Sequence, residues 1–233
     1  METETETEQA RLTIDVWSDV MCPFCYMGDA LLAKALDTFP HREQVAIRYR
    51  SYELMPELPT DSDMNATDIL VKAKGIPRAQ AIAMNKHVEA RAAEVGLEYH
   101  LDRALVVNTR SAQRLSQFAQ AEGKQHALMQ RLFRAYFTEA KNVGKYDVLA
   151  ELAAEVGLDR ARALDVLESG TFDSDVTADQ SQAKAIGIQG VPFFVLEGKY
   201  AVSGAQPVEV FRKALDMAWG AAQKPSRTVI LST

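Results

Sequence analysis

Strand-like sequence occurs only at the two ends of this chain, and that distribution limits the folds open to it. Residues 12–18, Leu-Thr-Ile-Asp-Val-Trp-Ser, alternate roughly and are rich in β-formers. So are residues 44–52, Gln-Val-Ala-Ile-Arg-Tyr-Arg-Ser-Tyr. Between them a helical pattern starts at Pro23, with Tyr26, Ala30, Leu31, Ala33, Leu36 and Phe39 at helical spacing and Pro40 placed to end it. A strand–helix–strand unit predicts parallel pairing through a right-handed crossover. From about Met64 to Gly187 no strand pattern occurs. After Gly190 the β pattern returns as Val191–Leu196, a turn at Glu197-Gly198, and a hairpin partner from Lys199 to Ser203. An amphipathic helix then runs from Val208 to about Ala222. The layout is β-α-β, a large all-helical block, then β-β-α. The two ends can share one four-stranded sheet, with the helical block inserted between them.

Within that block, residues 53–63 contain Pro56 and Pro59 and read as a loop. A short helix from Asp68 to Lys74 closes at Gly75, and Pro77 suits the first position of a helix to Val95. Tyr99 to Val107 reads as an irregular connection. Asn108 is placed as N-cap of a helix to Glu122. Further helices are expected near 124–140, 147–156, 159–168 and 175–186. Ala-Ala-Glu-Val-Gly-Leu occurs at 92–97 and again at 153–158, and Ala-Ile-Gly-Ile at 185–188 has the same cadence. The flanks do not match, so these read as helix stops, with Gly in the left-handed position and the next apolar residue packing back.

The chain of 233 residues is 47% apolar, enough for a substantial core. Lys+Arg is 26 and Asp+Glu 32, a formal charge of −6, which argues against nucleic acid or an anionic membrane as partner. No apolar run approaches the roughly 18 residues of a membrane helix. Residues 1–11 open with alternating Glu and Thr and are expected to be a disordered acidic tail. They show no secretory pattern, so a cytoplasmic protein is expected, with its thiols kept reduced. Residues 223–233 form a second tail, whose Val229-Ile230-Leu231 could dock on the body or on a second copy in a homodimer.

The two cysteines of the chain stand together, as Cys22-Pro23-Phe24-Cys25, just after the first strand. With a helix starting at Pro23, Cys22 is its N-cap, and its sulfur could accept the backbone N–H groups of Phe24 and Cys25. The helix dipole also favours an anion there. Both effects favour thiolate at Cys22, whereas Cys25, one turn in, would be more buried and less ionised. Cys22 then reacts first and Cys25 resolves the mixed disulfide. Pro23 fixes the first turn and Phe24 offers an apolar face beside the sulfur. Two duller readings compete. A zinc site takes four ligands, and there is no third cysteine, while His41, His87, His100 and His126 are scattered. Two inert buried cysteines at a helix start are the other. Asp19, three residues before Cys22, could tune the thiolate or simply shape the turn. Tyr26 reads as packing, and Asn108 and Arg114 as helix-cap or surface residues that could shape a groove.

The segment Ser18-Asp19-Val20-Met21-Cys22-Pro23-Phe24-Cys25-Tyr26-Met27-Gly28 resembles the active-site segment of DsbA-like oxidoreductases, their FrnE-like branch most closely. Gly190-Val191-Pro192-Phe193-Phe194-Val195 resembles their cis-proline loop, and Ser203-Gly204-Ala205-Gln206-Pro207 their closing segment. Asn108-Thr109, Ala112-Gln113-Arg114-Leu115 and Ala135-Tyr136-Phe137 with Glu139 and Asn142 are similar to that branch's helical insertion. The resemblance spans about residues 12–222. It implies an α/β, thioredoxin-like fold with discontinuous segments 12–53 and 188–222 around a helical insertion at 54–187. It also implies a cis Val191–Pro192 bond facing the cysteines, with the Val191 backbone free to pair with an extended substrate. Thiol–disulfide exchange with protein or small-molecule thiols is the activity implied, with no metal, no bound cofactor, and glutathione as a candidate co-substrate. Phe24 stands where the branch often has Trp, Gln113 where it often has His, and Phe193 where Thr or Ser is common. A second cysteine pair that some members carry is missing. Two rivals remain. One is a glutathione-dependent isomerase or transferase, like the related 2-hydroxychromene-2-carboxylate isomerases and kappa-class glutathione transferases, which typically have Ser at the position of Cys22. The other is a holdase binding unfolded chains on Phe24, Phe193 and Phe194.

Overall fold

A computed structural model describes residues 11–222. The acidic stretch 1–10 and the tail with Val229-Ile230-Leu231 lie outside the described residues. Arg11, assigned above to the tail, is anchored: its N–H donates to Gln44 O at 2.9 Å and its guanidinium lies 5.2 Å from the Trp219 ring.

Strand β1 (Leu12–Ser18) runs through the middle of a four-stranded sheet. It pairs in parallel with β2 (Val45–Ser51), from Leu12 opposite Val45 to Ser18 opposite Ser51. On its other side β3 (Phe193–Leu196) runs antiparallel, with Trp17 opposite Phe193, and β4 (Tyr200–Ser203) completes the hairpin. Glu197 and Gly198 both take positive φ in the connecting turn. The alternating burial of β1 gives way to continuous burial at Val16, Trp17 and Ser18 because helices cover both faces there. Trp17 packs with Ala183 and Ile188, away from the main core.

Helix α1 (Pro23–Leu36) and helix α9 (Val208–Ala222) pack against each other and the sheet. α1 ends at Leu36, before Pro40, with Asp37 as C-cap. Its buried face also differs from the apolar spacing: Met27, Gly28, Asp29, Leu32, Ala35 and Leu36 are buried, while Ala30 and Leu31 are half-buried and Ala33 is exposed. The helix is rotated because Asp29 is paid for inside by polar partners, the Tyr49 hydroxyl and Gln130 amide donating to its two oxygens.

Between β2 and β3 lie α2 (Ala66–Lys74), α3 (Arg78–Glu94), α4 (Arg110–Ala121), α5 (Gln125–Phe137), α6 (Tyr146–Glu155), α7 (Arg160–Ser169) and α8 (Asp173–Ala185). α2 starts two residues earlier than its apolar pattern, at an Asn65–Asp68 capping box. Pro77 is the N-cap of α3 rather than its first residue. Thr109 is the N-cap of α4, and Asn108 sits one residue outside, accepting the Arg110 N–H at 2.9 Å and donating to Pro56 O. The three repeated stops are alike. Gly96, Gly157 and Gly187 have φ of 88°, 79° and 79°, and the next residue's N–H reaches back to Ala92, Ala153 and Ala183.

α4 touches α5, α6, α7, α8 and β2, and nine consecutive residues, Ser111 to Ala119, are buried. Its polar side chains are satisfied by other elements. Gln113 donates to the carbonyls of Ser18 (2.9 Å) and Tyr52 (3.0 Å). Arg114 is buried, so the surface reading fails; its guanidinium donates to the carbonyls of Val166, Leu167 and Thr171, capping the end of α7. Two side chains also occupy the free edge of β2. Gln125 exchanges two bonds of 2.9 Å with the Tyr49 backbone, and Asp179 accepts the Ser51 N–H at 2.8 Å. Each mimics a neighbouring strand and blunts an edge open to pairing.

Candidate active site

The β1–α1 turn brings Cys22 to the start of α1. Its N–H bonds Asp19 O at 3.0 Å, its backbone is extended at φ −82° and ψ 113°, and Pro23 occupies the first helical position. Cys22 is the N-cap by position, but its sulfur makes no capping bond. The Cys25 N–H goes instead to the Cys22 carbonyl oxygen at 3.0 Å, and the Cys22 thiol donates across to Val191 O at 3.4 Å. A protonated sulfur is a donor and a weak acceptor, so it turns from the helix N–H groups to the facing carbonyl. Both cysteines are free thiols, and both are buried, 4% and 2% exposed, so neither is the open partner. Burial, then the neighbouring Cys22 sulfur, push the Cys25 thiol well above its ordinary range; the Ser18 hydroxyl and the Asp19 backbone N–H oppose this.

The Val191–Pro192 peptide is cis, and Pro192 O is held by the Gly204 N–H at 2.8 Å. Around this loop an open cavity of about 410 Å³ is lined by Gly190, Val191, Pro192 and Gly204. Gly28 sets how near the loop comes to α1: a Cβ there would lie 3.0 Å from Pro192 Cγ and 3.1 Å from Phe194 Cζ. Phe194 is fully buried and cannot retreat. Gly28→Val is therefore expected to displace the Pro192 loop, costing about 1–3 kcal/mol and slowing any chemistry that needs Val191 beside Cys22. Urea unfolding and an exchange assay check this; unchanged values in both would show that the loop position is not set by Gly28.

Asp19 is fully buried behind the turn. Its carboxylate accepts the Met21 N–H at 3.3 Å and the Leu54 N–H at 2.8 Å. Burial pushes its pKa up to about 6, with Glu53 adding repulsion and the Leu54, Thr109 and Met21 donors pulling it down. It ties the turn carrying Cys22 to the chain leaving β2. Glu53 is itself buried and fastened by Arg110 (2.8 Å) and Gln180 (2.7 Å). From the insertion side, Tyr99 donates to Pro23 O at 2.7 Å, and Tyr26 stacks with Tyr99, Phe133 and Phe137.

A large cavity, about 720 Å³, opens beside Pro23 and Phe24. Met21, Leu54 and Met55 form its floor, and Ile69, Leu70 and Val88 of α2 and α3 its roof. Phe24 lines this cavity, with the Arg91 guanidinium 5.3 Å from its ring. Phe193 and Phe194 do not join it: Phe193 packs on Trp17, and Phe194 sits edge-on to Phe211 in the core. Among the described residues, no group of three or more His, Cys, Asp or Glu is placed to hold a metal, and no helix is long and apolar enough to cross a membrane. Glu53 and Tyr99 carry no signal as site residues in the sequence; long-range packing alone brings the Tyr99 hydroxyl to Pro23 O and fastens Glu53 to Arg110 and Gln180.

A four-stranded sheet of this order, with paired cysteines opening the first helix against a proline loop, defines a thioredoxin-like fold. Residues 13–216 match the DSBA-like thioredoxin domain, and the chain belongs to that family. A probable DsbA oxidoreductase from Streptomyces coelicolor is 38% identical, with a TM-score of 0.85 and 90% of each chain covered. The curated Bacillus subtilis (strain 168) protein YwbO, itself uncharacterized, is 30% identical over 203 residues, 87% of this chain and 94% of its own. A 2-hydroxychromene-2-carboxylate isomerase shares the fold at 15% identity, with a TM-score of 0.67 over 90% of this chain and 97% of its own.

Proposed function

We propose that this protein is a thiol–disulfide oxidoreductase that cycles Cys22 and Cys25 between dithiol and disulfide. The observation that carries this reading is the placement of two free thiols at the start of α1, with Cys22 Sγ 3.4 Å from the Val191 carbonyl of the Pro192 loop. The Cys22 thiolate attacks a substrate disulfide, and one substrate sulfur leaves as a thiolate and takes up a proton. Cys25 then loses its proton and attacks Cys22 Sγ, which releases the second substrate sulfur. The substrate gains two electrons and two protons, and the pair becomes a disulfide. The steps reverse when a substrate dithiol is oxidised. An external thiol restores the dithiol, and glutathione is the candidate. In a cytoplasmic setting this supports reductase or isomerase work.

The Val191 backbone offers an extended substrate a strand-like partner, and the cavity beside Phe24 suits an apolar group flanking the reacting sulfur. That cavity also gives the isomerase reading its support, because it would hold a small apolar ligand. Turnover separates the readings. Glutathione-driven reduction of a small disulfide-bonded test protein is expected with the native protein and not with Cys22→Ser. Suppressed aggregation that survives Cys22→Ser without reduction would point to a holdase. Isomerisation with both thiols blocked would point to the rival enzyme.

A further inference from the structure

The cavity beside Pro23 and Phe24 has features that thiol exchange alone does not use. At about 720 Å³ it lies within the range of pockets that take small organic ligands. Two of its lining residues, Leu54 and Met84, are large apolar side chains left 42% and 36% exposed. Ile69, Leu70 and Val88 line it half-buried, so the space under α2 and α3 is not closed by their own side chains. The cavity is also long. Gln80 and Val88 both line it from α3, about 12 Å apart along the helix axis. Lys74 ends α2 and Gln80 lies in the first turn of α3, so together they mark one end. Phe24 marks the other, with Arg91 of α3 beside its ring. Lys74 and His87 are the lining groups able to carry positive charge, and none of the described residues that line the cavity is Asp or Glu. Arg78 nearby is paired with Asp68, whereas Lys74 makes no ion pair among the described residues. In a chain of net charge −6, an apolar trough with cations and no acid in its wall is a local arrangement.

We propose that this cavity binds a long-chain monocarboxylate, with the carboxylate at Lys74 and the alkyl chain running along α3 to Phe24. An alkyl chain needs no hydrogen-bond partner from an apolar wall, and each methylene it buries strengthens binding. A peptide is the poorer occupant. The Asn85 amide is taken by the Thr67 hydroxyl at 3.0 Å, and few lining groups remain to meet the backbone N–H and C=O groups that a peptide brings. An anionic membrane surface is disfavoured by the charge of the chain as a whole. Met21 and Pro23, the residues on either side of Cys22, both line this cavity, so a bound chain occupies the space beside the reacting sulfur. The catalytic consequence rests on the exchange reading above: the carboxylate competes with substrates that place an apolar group there.

The test titrates the full reduced chain with octanoate, decanoate and dodecanoate by calorimetry, each below its micelle concentration. Affinity is expected to rise about fourfold per methylene until the cavity is filled. Dodecanol is expected to bind about threefold more weakly than dodecanoate, and Lys74→Gln to lose that preference while keeping the affinity for the alcohol. Ala83 is exposed and lines the cavity, so Ala83→Trp is expected to fill it without unfolding the chain and to abolish binding. In the exchange assay, dodecanoate is expected to raise KM for an apolar disulfide and leave kcat unchanged. No binding, an affinity independent of chain length, or binding untouched by both variants overturns the proposal. So does an apolar peptide that binds more tightly than dodecanoate. An unchanged KM in a protein that does exchange overturns the placement beside Cys22. A native protein that binds dodecanoate in this way and exchanges no disulfide upholds the site and overturns the exchange reading instead.

Discussion

Cys25→Ser is expected to stop exchange half-way, leaving a mixed disulfide on Cys22 that accumulates in proportion to enzyme. Cys22→Ser is expected to reduce turnover to background. The two outcomes differ because the two sulfurs face different partners. Cys22 Sγ faces the Val191 carbonyl of the Pro192 loop at 3.4 Å, where an extended substrate would pair. Cys25 lies one helical turn behind it, 2% exposed and held protonated by burial. It gains a partner only when Cys22 presents its own sulfur. Removing Cys25 therefore blocks the second step and spares the first, while removing Cys22 blocks both. Intact-mass measurement after incubation with oxidised glutathione reads the result directly. A single adduct on Cys25→Ser that reductant removes is the expected finding. An adduct that forms only on Cys22→Ser would reverse the roles.

The second large effect concerns the seam between sheet and helices. Asp179→Ala is expected to cost about 3–5 kcal/mol, because it strands several buried partners together. The carboxylate accepts the Ser51 N–H at 2.8 Å, the Gln117 amide at 2.7 Å and the Arg50 guanidinium at 3.1 Å. Its backbone carbonyl separately takes the Trp17 indole N–H at 3.1 Å. Removing the carboxylate leaves a donor on the edge strand, an amide inside α4 and part of a guanidinium unmet. Urea unfolding measures the loss. Asp179→Asn keeps one acceptor oxygen and is expected to fall between the two. A loss under about 1 kcal/mol for the alanine variant would mean that water replaces the carboxylate at this seam.

What the sequence disclosed follows the range over which each feature is determined. The helix stops at Gly96, Gly157 and Gly187 are local, since the αL residue and its back-bonding neighbour lie within a few positions, and all three were legible. The strand patterns at both ends were legible for the same reason. The cysteine motif, whose spacing is itself one helical turn, could be placed at the start of α1. α4 could not be understood this way. Its run Arg110–Ala121 is polar and would suit a solvent-facing helix, yet Gln113, Arg114 and Gln117 are buried because their partners lie on β1, β2, α7 and α8. The buried face of α1 departs from its apolar spacing likewise, since Tyr49 and Gln130, which satisfy Asp29 inside, stand far away in sequence. The sulfur of Cys22 departed from its capping role because the competing acceptor, Val191 O, comes from the other end of the chain. Each miss is a polar group satisfied at long range, which periodicity does not register.

The chain leaves the sheet after Ser51 and returns at Phe193, and both points flank β1, opposite Ser18 and Trp17 respectively. Exit and re-entry are therefore only about two strand spacings apart, roughly 10 Å. Closing so short a gap makes little demand on the length or arrangement of what lies between. Cys22 and Cys25 belong to the part outside that gap and Pro192 ends it at the edge of β3, while the roof of the large cavity belongs to the part well inside it. Reactivity and selectivity can thus be inherited separately: an exchanged set of helices would bring a new clientele to the same pair of sulfurs.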